Sequence, residues 1–348
     1  MNRAAVFYAL ASAILFGLSA PLAKLLLGSI DPWLLAGLLY LGSGLGLAIL
    51  HLAAAPWRNR AEAPLTRRDM PWLAAAILAG GVIAPVLLML GLARTDGATA
   101  SLLLTSEGAA TALLAWFAFR ENVDRRIAAG MLLIVAGAAL LAWPTGTDLG
   151  HLTGAPLVVA ACVVWGIDNN LTRKVALADP LQVAMLKGLV AGSVNLALAL
   201  ARGATLPALP GLGAALLVGF LGYGVSLVLF VLALRHLGTA RTGAYFSTAP
   251  FLGAMLAVPL LGDAVTIQLV VAGGLMALGV WLHLTERHVH EHDHPALAHS
   301  HRHVHDLHHR HGHDPQDPPG EPHSHRHAHV RLRHAHAHMP DSHHRHGH

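Results

Sequence analysis

The chain has 348 residues, of which 54% are hydrophobic and only 12% are charged. A soluble globular domain carries about 25% charged residues, so this composition excludes an ordinary soluble protein. The formal net charge is +4, but the arginines lie in short connections between apolar stretches. In that position they set the orientation of a membrane protein, and they do not indicate nucleic-acid binding.

Apolar stretches long enough to cross a bilayer recur from the N-terminus to residue 286. A helix of about 20 apolar residues spans roughly 30 Å of hydrocarbon. The sequence therefore predicts an all-α membrane protein with ten transmembrane helices, here called spans 1 to 10. Their predicted ranges are 4–27, 33–54, 70–93, 97–119, 126–144, 153–175, 180–201, 211–235, 239–261 and 265–285.

Lysine and arginine are unevenly divided between the two sets of connections. With a cytoplasmic N-terminus, the outer connections hold only Arg94 and Arg202. The inner connections hold the other loop cations: Arg58, Arg60, Arg67, Arg68, Arg120, Arg125, Arg126, Arg173, Lys174, Arg235 and Arg287. Cytoplasmic loops are the ones enriched in these residues, so the sequence predicts a multi-pass protein with both termini in the cytoplasm.

The chain repeats itself after the fifth span. Phe16-Gly17 recurs as Trp165-Gly166, and Asp31-Pro32 recurs as Asp179-Pro180 at nearly the same offset. We predict two five-helix repeats, at residues 1–148 and 149–286. Because five is odd, the halves lie in opposite orientations, which is a design typical of transporters. The pairs Gly42/Gly46 and Gly188/Gly192 would let helix backbones approach closely, but in a chain so rich in glycine we expect such pairs to arise by chance.

Glu107 is the acidic residue predicted to lie deepest in the membrane, about ten residues and roughly 15 Å into span 4. A carboxylate at that depth is protonated, paired or in contact with a wet cavity. Lys24 and Lys187 are the candidate charge partners. We expect Glu107 to carry a proton or to contact an amine of the solute, and a purely structural pair is the alternative.

Asp168, Asn169 and Asn170 form a polar triplet inside span 6. They occupy almost a full helical turn, so they do not all face one way, and both cavity lining and interhelical hydrogen bonding are open for them. Trp165 and Tyr245 are aromatic candidates near the same level. Three prolines interrupt spans and are candidate hinges or static kinks: Pro21, Pro85 and Pro250.

The last 62 residues have a different composition and hold 23 of the 27 histidines. They are too polar to bury a core, so we predict a disordered cytoplasmic tail at 287–348. Imidazole favours Ni, Co, Zn and Cu(II), which makes the tail a candidate metal-binding segment, although no cofactor is required. The candidate ligands are His288, His290, His292, His294, His299, His301, His303, His305, His323, His325, His327 and His329.

The tail also contains His290-Glu-His-Asp-His294, which formally matches the zinc-protease motif HExxH. That chemistry needs two histidines on one face of an ordered helix together with a third ligand. A histidine-saturated segment that ends at Pro295 does not meet this requirement. We therefore expect a protein that is not an enzyme.

These features together resemble the EamA branch of the drug/metabolite transporter superfamily, over about residues 4–286. The resemblance is carried by the aromatic-glycine pairs of spans 1 and 6 and by a small set of further residues: Pro21, Lys24, Arg173, Glu121, Asp263 and Ala249-Pro250. It implies secondary transport across the bacterial inner membrane, usually export of amino acids or other small metabolites. Glu107, which stands where the other half has Pro250, departs from the family pattern, as does the polar triplet.

We therefore expect an exporter of a small, amino-acid-like metabolite that works by alternating access in the lipid bilayer. The first alternative is efflux of a divalent metal, or of a metal-chelating metabolite, with the tail as sensor or buffer. The second alternative is a membrane-anchored metal buffer that transports nothing. Bare metal ions are disfavoured because few acids lie within the spans and no histidine lies near their centre.

Overall fold

The structure is a computed structural model of the full chain. It describes residues 3–54, 65–119, 125–143, 150–175, 178–237 and 239–285, together with four short segments of the tail. Nine described helices are long and apolar enough to cross a membrane, and a shorter apolar helix covers Ala249–Leu261. Large apolar side chains are exposed on their outer faces, such as Phe117 at 70% and Met255 at 72%. This exposure suits contact with lipid.

The first half contains seven α-helices and one π-helical segment. Proline at the first position, preceded by the N-cap Asp31, begins the second helix, in agreement with the preference of proline for this site. The elements are α1 (Arg3–Leu26), α2 (Pro32–Ala54), α3 (Met70–Ala76), π1 (Ile77–Ile83), α4 (Ala84–Leu92), α5 (Gly97–Leu103), α6 (Ser106–Phe119) and α7 (Arg125–Ala142).

The second half repeats this order. Its elements are α8 (Gly150–Thr172), a 3₁₀ turn (Arg173–Val175), α9 (Pro180–Ala201), α10 (Leu209–Gly219), π2 (Phe220–Val225), α11 (Ser226–Leu237), α12 (Thr239–Phe246), α13 (Ala249–Leu261) and α14 (Ile267–Leu284).

The interruptions inside the spans also repeat. Spans 3 and 8, predicted as continuous α-helices, carry the π segments π1 and π2 in the middle. Spans 4 and 9 are each broken by a two-residue turn, at Leu104-Thr105 and at Ser247-Thr248. Because each interruption has a counterpart in the other half, the bundle consists of two related five-span units. Their odd number of spans gives them opposite orientations.

Spans 2 and 7 make a close helix contact between the halves. The backbone of Gly44 lies against Gly188 and Leu189, and Gly192 lies against Leu41. A Cβ atom at any of these glycines would overlap with backbone of the facing helix. The expectation that the glycine pairs arise by chance is therefore wrong for Gly188/Gly192, where small residues allow close backbone approach.

In the tail the structure describes β1 (His288–His294), β2 (Leu297–His303), β3 (His323–His329) and β4 (Leu332–His338), where the sequence predicts no secondary structure. β1 pairs with β4 and β2 with β3, both antiparallel. Alternation of histidine with other residues has the period of a strand, which accounts for this assignment.

Candidate functional site

The first part of the site is the π-helical segment π1 in span 3. A π-helix shifts the backbone register, and such segments often mark functional sites. The carbonyl oxygen of Gly80 accepts hydrogen bonds from Tyr40 Oη at 2.6 Å and from Trp165 Nε1 at 2.9 Å. The carbonyl of the next residue, Gly81, accepts one from Asn195 Nδ2 at 3.0 Å. Side chains from spans 2, 6 and 7 therefore fix the segment from three directions.

Beside this segment, Asp168 of span 6 forms an ion pair with Lys187 of span 7. Lys187 Nζ donates to both carboxylate oxygens, with 2.6 Å to Oδ1. Thr172 Oγ1 also donates to Oδ1, at 3.0 Å. The Asp168 side chain is 5% exposed and the Lys187 side chain 16%. The carboxylate lies directly against Gly80, where any Cβ atom would overlap with it, so the glycine makes room for the acid.

Glu107 stands at the start of α6, directly after the break in span 4. Its carboxylate accepts a hydrogen bond from Asn169 Nδ2 at 2.9 Å. The same amide group lies 3.1 Å from Thr111 Oγ1, which in turn donates to the Glu107 carbonyl. Glu107 is half-buried, and the adjacent Gly108 is exposed, with nothing within 4 Å of the place a Cβ would occupy. The carboxylate is thus held by a neutral amide of span 6.

Asn170, the third residue of the polar triplet, makes different contacts from Asp168 and Asn169. Asn170 Nδ2 donates to the carbonyl oxygens of Thr111 and Gly166, at 3.1 and 2.8 Å. Asn170 is buried. The three residues of the triplet therefore face three environments: Asp168 faces spans 3 and 7, Asn169 faces Glu107, and Asn170 ties span 6 to span 4.

Lys24 does not pair with Glu107, and this expectation requires correction. Its Nζ donates to the carbonyl oxygen of Leu92 at 2.6 Å. Leu92 ends span 3, close to Arg94, against which Gly154 near the start of α8 is packed. Asp168 lies about 21 Å farther along α8 at 1.5 Å per residue. Helix geometry therefore separates Lys24 from the polar layer, the hydrogen-bonded groups around Asp168, Lys187 and Glu107 described above. Lys187 is the cation found in that layer.

Among the other candidates, Trp165 is buried and belongs to the polar layer through its bond to Gly80. Tyr245 is half-buried and lies just before the break in span 9. Pro85 is the second residue after π1, and Pro250 lies in the first turn of α13, directly after that break. Pro21 lies inside α1 and is buried. Two of the three prolines thus coincide with an interruption of a span.

The ionisable residues of the polar layer have no ionisable counterparts at the equivalent positions of the other half. Aligning Phe16-Gly17 with Trp165-Gly166 places Ser19 at the position of Asp168, and aligning the two Asp-Pro pairs places Leu39 at the position of Lys187. The turns in spans 4 and 9 likewise place Pro250 at the position of Glu107. The scaffold is therefore symmetric, whereas its ionisable side chains are not.

Sequence reasoning did not single out four residues of the layer: Tyr40, Gly80, Thr111 and Asn195. Asn195 had a usable signal, because it is a polar residue in the middle of an apolar span. The other three carry no such signal, since tyrosine, glycine and threonine are common in membrane helices. Lys187 was considered only as a partner for Glu107.

Within the part of the chain whose side chains are described, no group of three His, Cys, Asp or Glu residues is placed to hold a metal ion. The side chains of the tail histidines lie outside that part, as do Glu121 and the side chain of Arg173. Metal binding by His288 to His329 therefore remains a prediction.

Two inverted five-span halves, with helices interrupted at midspan around buried polar groups, define a polytopic membrane transporter of the inverted-repeat class. The EamA-like transporter family model matches residues 3–143 and again 152–285. The chain therefore belongs to the EamA-like transporter family.

Relatives agree with this assignment. A protein of Methanothermobacter thermautotrophicus described as "Uncharacterized transporter" is 31% identical over 286 residues, covering 77% of this chain and 82% of its own. A Pseudomonas aeruginosa protein named "Probable 4-amino-4-deoxy-L-arabinose-phosphoundecaprenol flippase subunit ArnE" is 41% identical over 102 residues, 28% of this chain and 86% of its own. A solved crystal structure matches 81% of this chain and 96% of its own, with a TM-score of 0.58 and 21% identity, which shows the fold alone.

Proposed function

We propose that this protein exports a small metabolite carrying an amino group across the bacterial inner membrane by alternating access. The Glu107 carboxylate binds the amino group of the solute. When no solute is bound, the same carboxylate takes up a proton. The two ligands then compete for one carboxylate, so that entry of one drives release of the other.

The observation that carries this proposal is the state of the Glu107 carboxylate. It lies at midspan, accepts one hydrogen bond from a neutral amide, and has no cation bonded to it in the described part of the chain. Isolated carboxylates are costly at this depth, which favours uptake of a proton or a cationic group. The ArnE relatives are named for a lipid-linked amino sugar, which also carries an amine.

The test is solute counterflow in liposomes that contain the purified protein, with a mixed pool of amines and amino acids read by mass spectrometry. Glu107→Gln keeps the size of the side chain and removes its charge. We expect flux at the level of empty liposomes for this variant, with normal expression and normal elution in detergent. Flux equal to that of the unchanged protein would exclude Glu107 from the pathway.

Asp31→Asn is the matched control, because it also removes one carboxylate charge. Asp31 is exposed and caps the N-terminus of α2 through Trp33 N and Leu34 N. Asparagine caps helices about as well as aspartate, so the flux should not change.

The proposed orientation, with both termini in the cytoplasm, rests on the Lys and Arg distribution. Protease protection of the tail in inside-out and right-side-out vesicles tests it.

A second candidate function is metal binding by the tail, and the strand register favours it. β1 and β4 place three histidine pairs directly opposite each other, as do β2 and β3. The pairs are His288↔His338, His290↔His336, His292↔His334, His299↔His327, His301↔His325 and His303↔His323. Directly opposed positions have Cβ atoms about 4.5–5.5 Å apart, a spacing from which two residues can share one divalent metal ion.

Equilibrium dialysis of the full-length protein against Ni²⁺ or Zn²⁺ tests this. Alanine at the six paired histidines of β1 and β4 should remove about half of the tightly bound metal if the two strand pairs bind equally. The control variant should retain the tightly bound metal. It replaces six histidines outside the four described strands: His305, His308, His309, His311, His313 and His343. Equal loss from both variants would show that the paired register is irrelevant to metal binding.

A further inference from the structure

The positive and negative groups of the polar layer do not balance. Among the described residues, the carboxylates and amines at this level are Glu107, Asp168 and Lys187. Lys187 donates to both carboxylate oxygens of Asp168, so its positive charge is already neutralised. Glu107 has no such partner in the part of the chain that the structure describes. With all three groups ionised the layer carries one net negative charge, which a bound species of charge +1 would balance.

The three groups act on one another rather than as isolated charges. Asp168 and Lys187 both lie within electrostatic reach of Glu107. Lys24 instead lies within electrostatic reach of Asp263 and Asp96, about 21 Å away along the bundle. Glu107, Asp168 and Lys187 therefore set the charge of the polar layer together.

Aromatic rings adjoin the same layer. Tyr40 and Tyr223 are both within electrostatic reach of Glu107. Their ring centroids are 5.6 Å apart, Tyr223 lies 6.1 Å from Phe16, and Phe16 lies 5.2 Å from Phe246. Aromatic faces attract cations, and clusters of them bind organic ammonium groups. Negative charge and aromatic surface thus indicate the same ligand.

We infer that the site selects an organic monocation and discriminates against the zwitterion of similar size. This inference rests on the proposed function and narrows its substrate class. A zwitterion brings a carboxylate that needs its own cation, and Lys187 is already held by Asp168 with help from Thr172. Opening that pair would leave Asp168 buried with a single hydrogen bond, and a buried ion without its partner is strongly unfavourable.

The experiment compares solutes that differ in the carboxylate. Counterflow is measured in the same liposomes for choline and glycine betaine, and for L-leucinamide and L-leucine. Each pair contains a monocation and a zwitterion of similar shape. Because both fluxes come from one preparation, their ratio does not depend on the amount of folded protein. We expect the unchanged protein to favour the monocation in at least one pair by about tenfold or more.

Two variants test the charge argument. Asp168→Asn brings the net charge of the layer to zero and should shift the ratio toward the zwitterion. The double variant Asp168→Asn/Lys187→Met restores the charge of −1 without either original group, and should restore preference for the monocation. A merely structural role of the pair would lower both fluxes in Asp168→Asn and leave their ratio unchanged.

The outcomes separate the two proposals. Flux of zwitterions in preference to monocations would overturn the selectivity inference and leave the export function standing. An unchanged ratio in both variants would do the same. Absence of any flux above empty liposomes, for these solutes and for the mixed pool, would contradict the export function itself.

Discussion

Lys187 and Asp168 are joined across spans 7 and 6 by contacts to both carboxylate oxygens, the Oδ1 contact being 2.6 Å, in a place where both side chains are largely buried. Breaking such a pair on one side leaves an uncompensated charge, which costs about 3–5 kcal/mol. Lys187→Met and Asp168→Asn should each lower the thermal stability of the detergent-solubilised protein, measured by fluorescence-detected size exclusion after heating. The double variant should recover most of the loss.

The control for this prediction is Lys174→Met. Lys174 is exposed, and its Nζ lies 5.8 Å from the ring centroid of Trp72. An exposed cation–π contact contributes about 0.5–1 kcal/mol, so the melting temperature should change little. Additive losses in the Asp168/Lys187 double variant would mean that the two residues do not stabilise each other.

Gly80 should tolerate no side chain. Gly80→Ala would place a Cβ atom against the Asp168 carboxylate, and because both lie on tightly held spans the ion pair would have to move. We expect reduced thermal stability and loss of counterflow. Gly213→Ala is the control, since Gly213 lies in α10 with nothing within 4 Å of its Cβ position. There alanine should be neutral or stabilising by about 0.5–1 kcal/mol. Equal behaviour of the two variants would refute a packing requirement at Gly80.

Asn169 and Asn170 are neighbours in sequence with different expected phenotypes. Asn169→Ala removes the hydrogen bond to Glu107, so it should change the KM for solute while the protein stays folded. Asn170→Ala removes the bonds to the Thr111 and Gly166 carbonyls, each worth about 0.5–1.5 kcal/mol, so it should lower stability with little change in KM. KM from counterflow, measured beside melting temperature, distinguishes the two. Reversed phenotypes would contradict the assigned contacts.

Lys24 should control one end of the bundle rather than the solute site. Its bond to the Leu92 carbonyl joins span 1 to span 3, close to the start of span 4, where Asp263 Oδ2 accepts from Ala98 N at 2.8 Å. In a Cys162→Ala background, a cysteine at Ala98 should react faster with a membrane-impermeant maleimide when Lys24 is replaced by methionine. The preference between matched solutes should not change.

Arg94→Met provides the comparison for Lys24, because Arg94 is an exposed cation whose Nη1 donates to the Leu90 carbonyl of its own helix. It joins no second span by this bond, so the maleimide reaction at residue 98 should keep its rate. Equal acceleration by both variants would mean that loss of any nearby cation opens this end.

Several parts of the fold were readable from sequence for physical reasons. Spans of about 20 apolar residues must form helices in lipid, because every backbone polar group needs an internal partner there. Repeated motifs such as Phe16-Gly17 and Trp165-Gly166 identified the two halves. The interruptions of the spans were not predicted, because a π segment such as π1 and a two-residue turn such as Leu104-Thr105 leave hydrophobicity unchanged.

The polar layer was predictable only in part. A carboxylate at Glu107 and the triplet at 168–170 stand out against apolar surroundings, and their depth follows from counting residues. Their partners do not follow, because helix rotation and packing bring Lys187 to Asp168 and take Lys24 to the far end of the bundle. Both lysines met the sequence criterion of an embedded cation equally well.

The sequence by itself determined the membrane class, the two related halves and the family resemblance, since these depend on hydrophobicity and on local motifs. Only the tertiary structure decided which charge neutralises which. Pairing requires side chains from spans 3, 6 and 7 to meet at one depth, and the small Gly80 lets them approach. The unbalanced charge on Glu107, from which the proposed selectivity follows, is a property of that packing and of no single stretch of the chain.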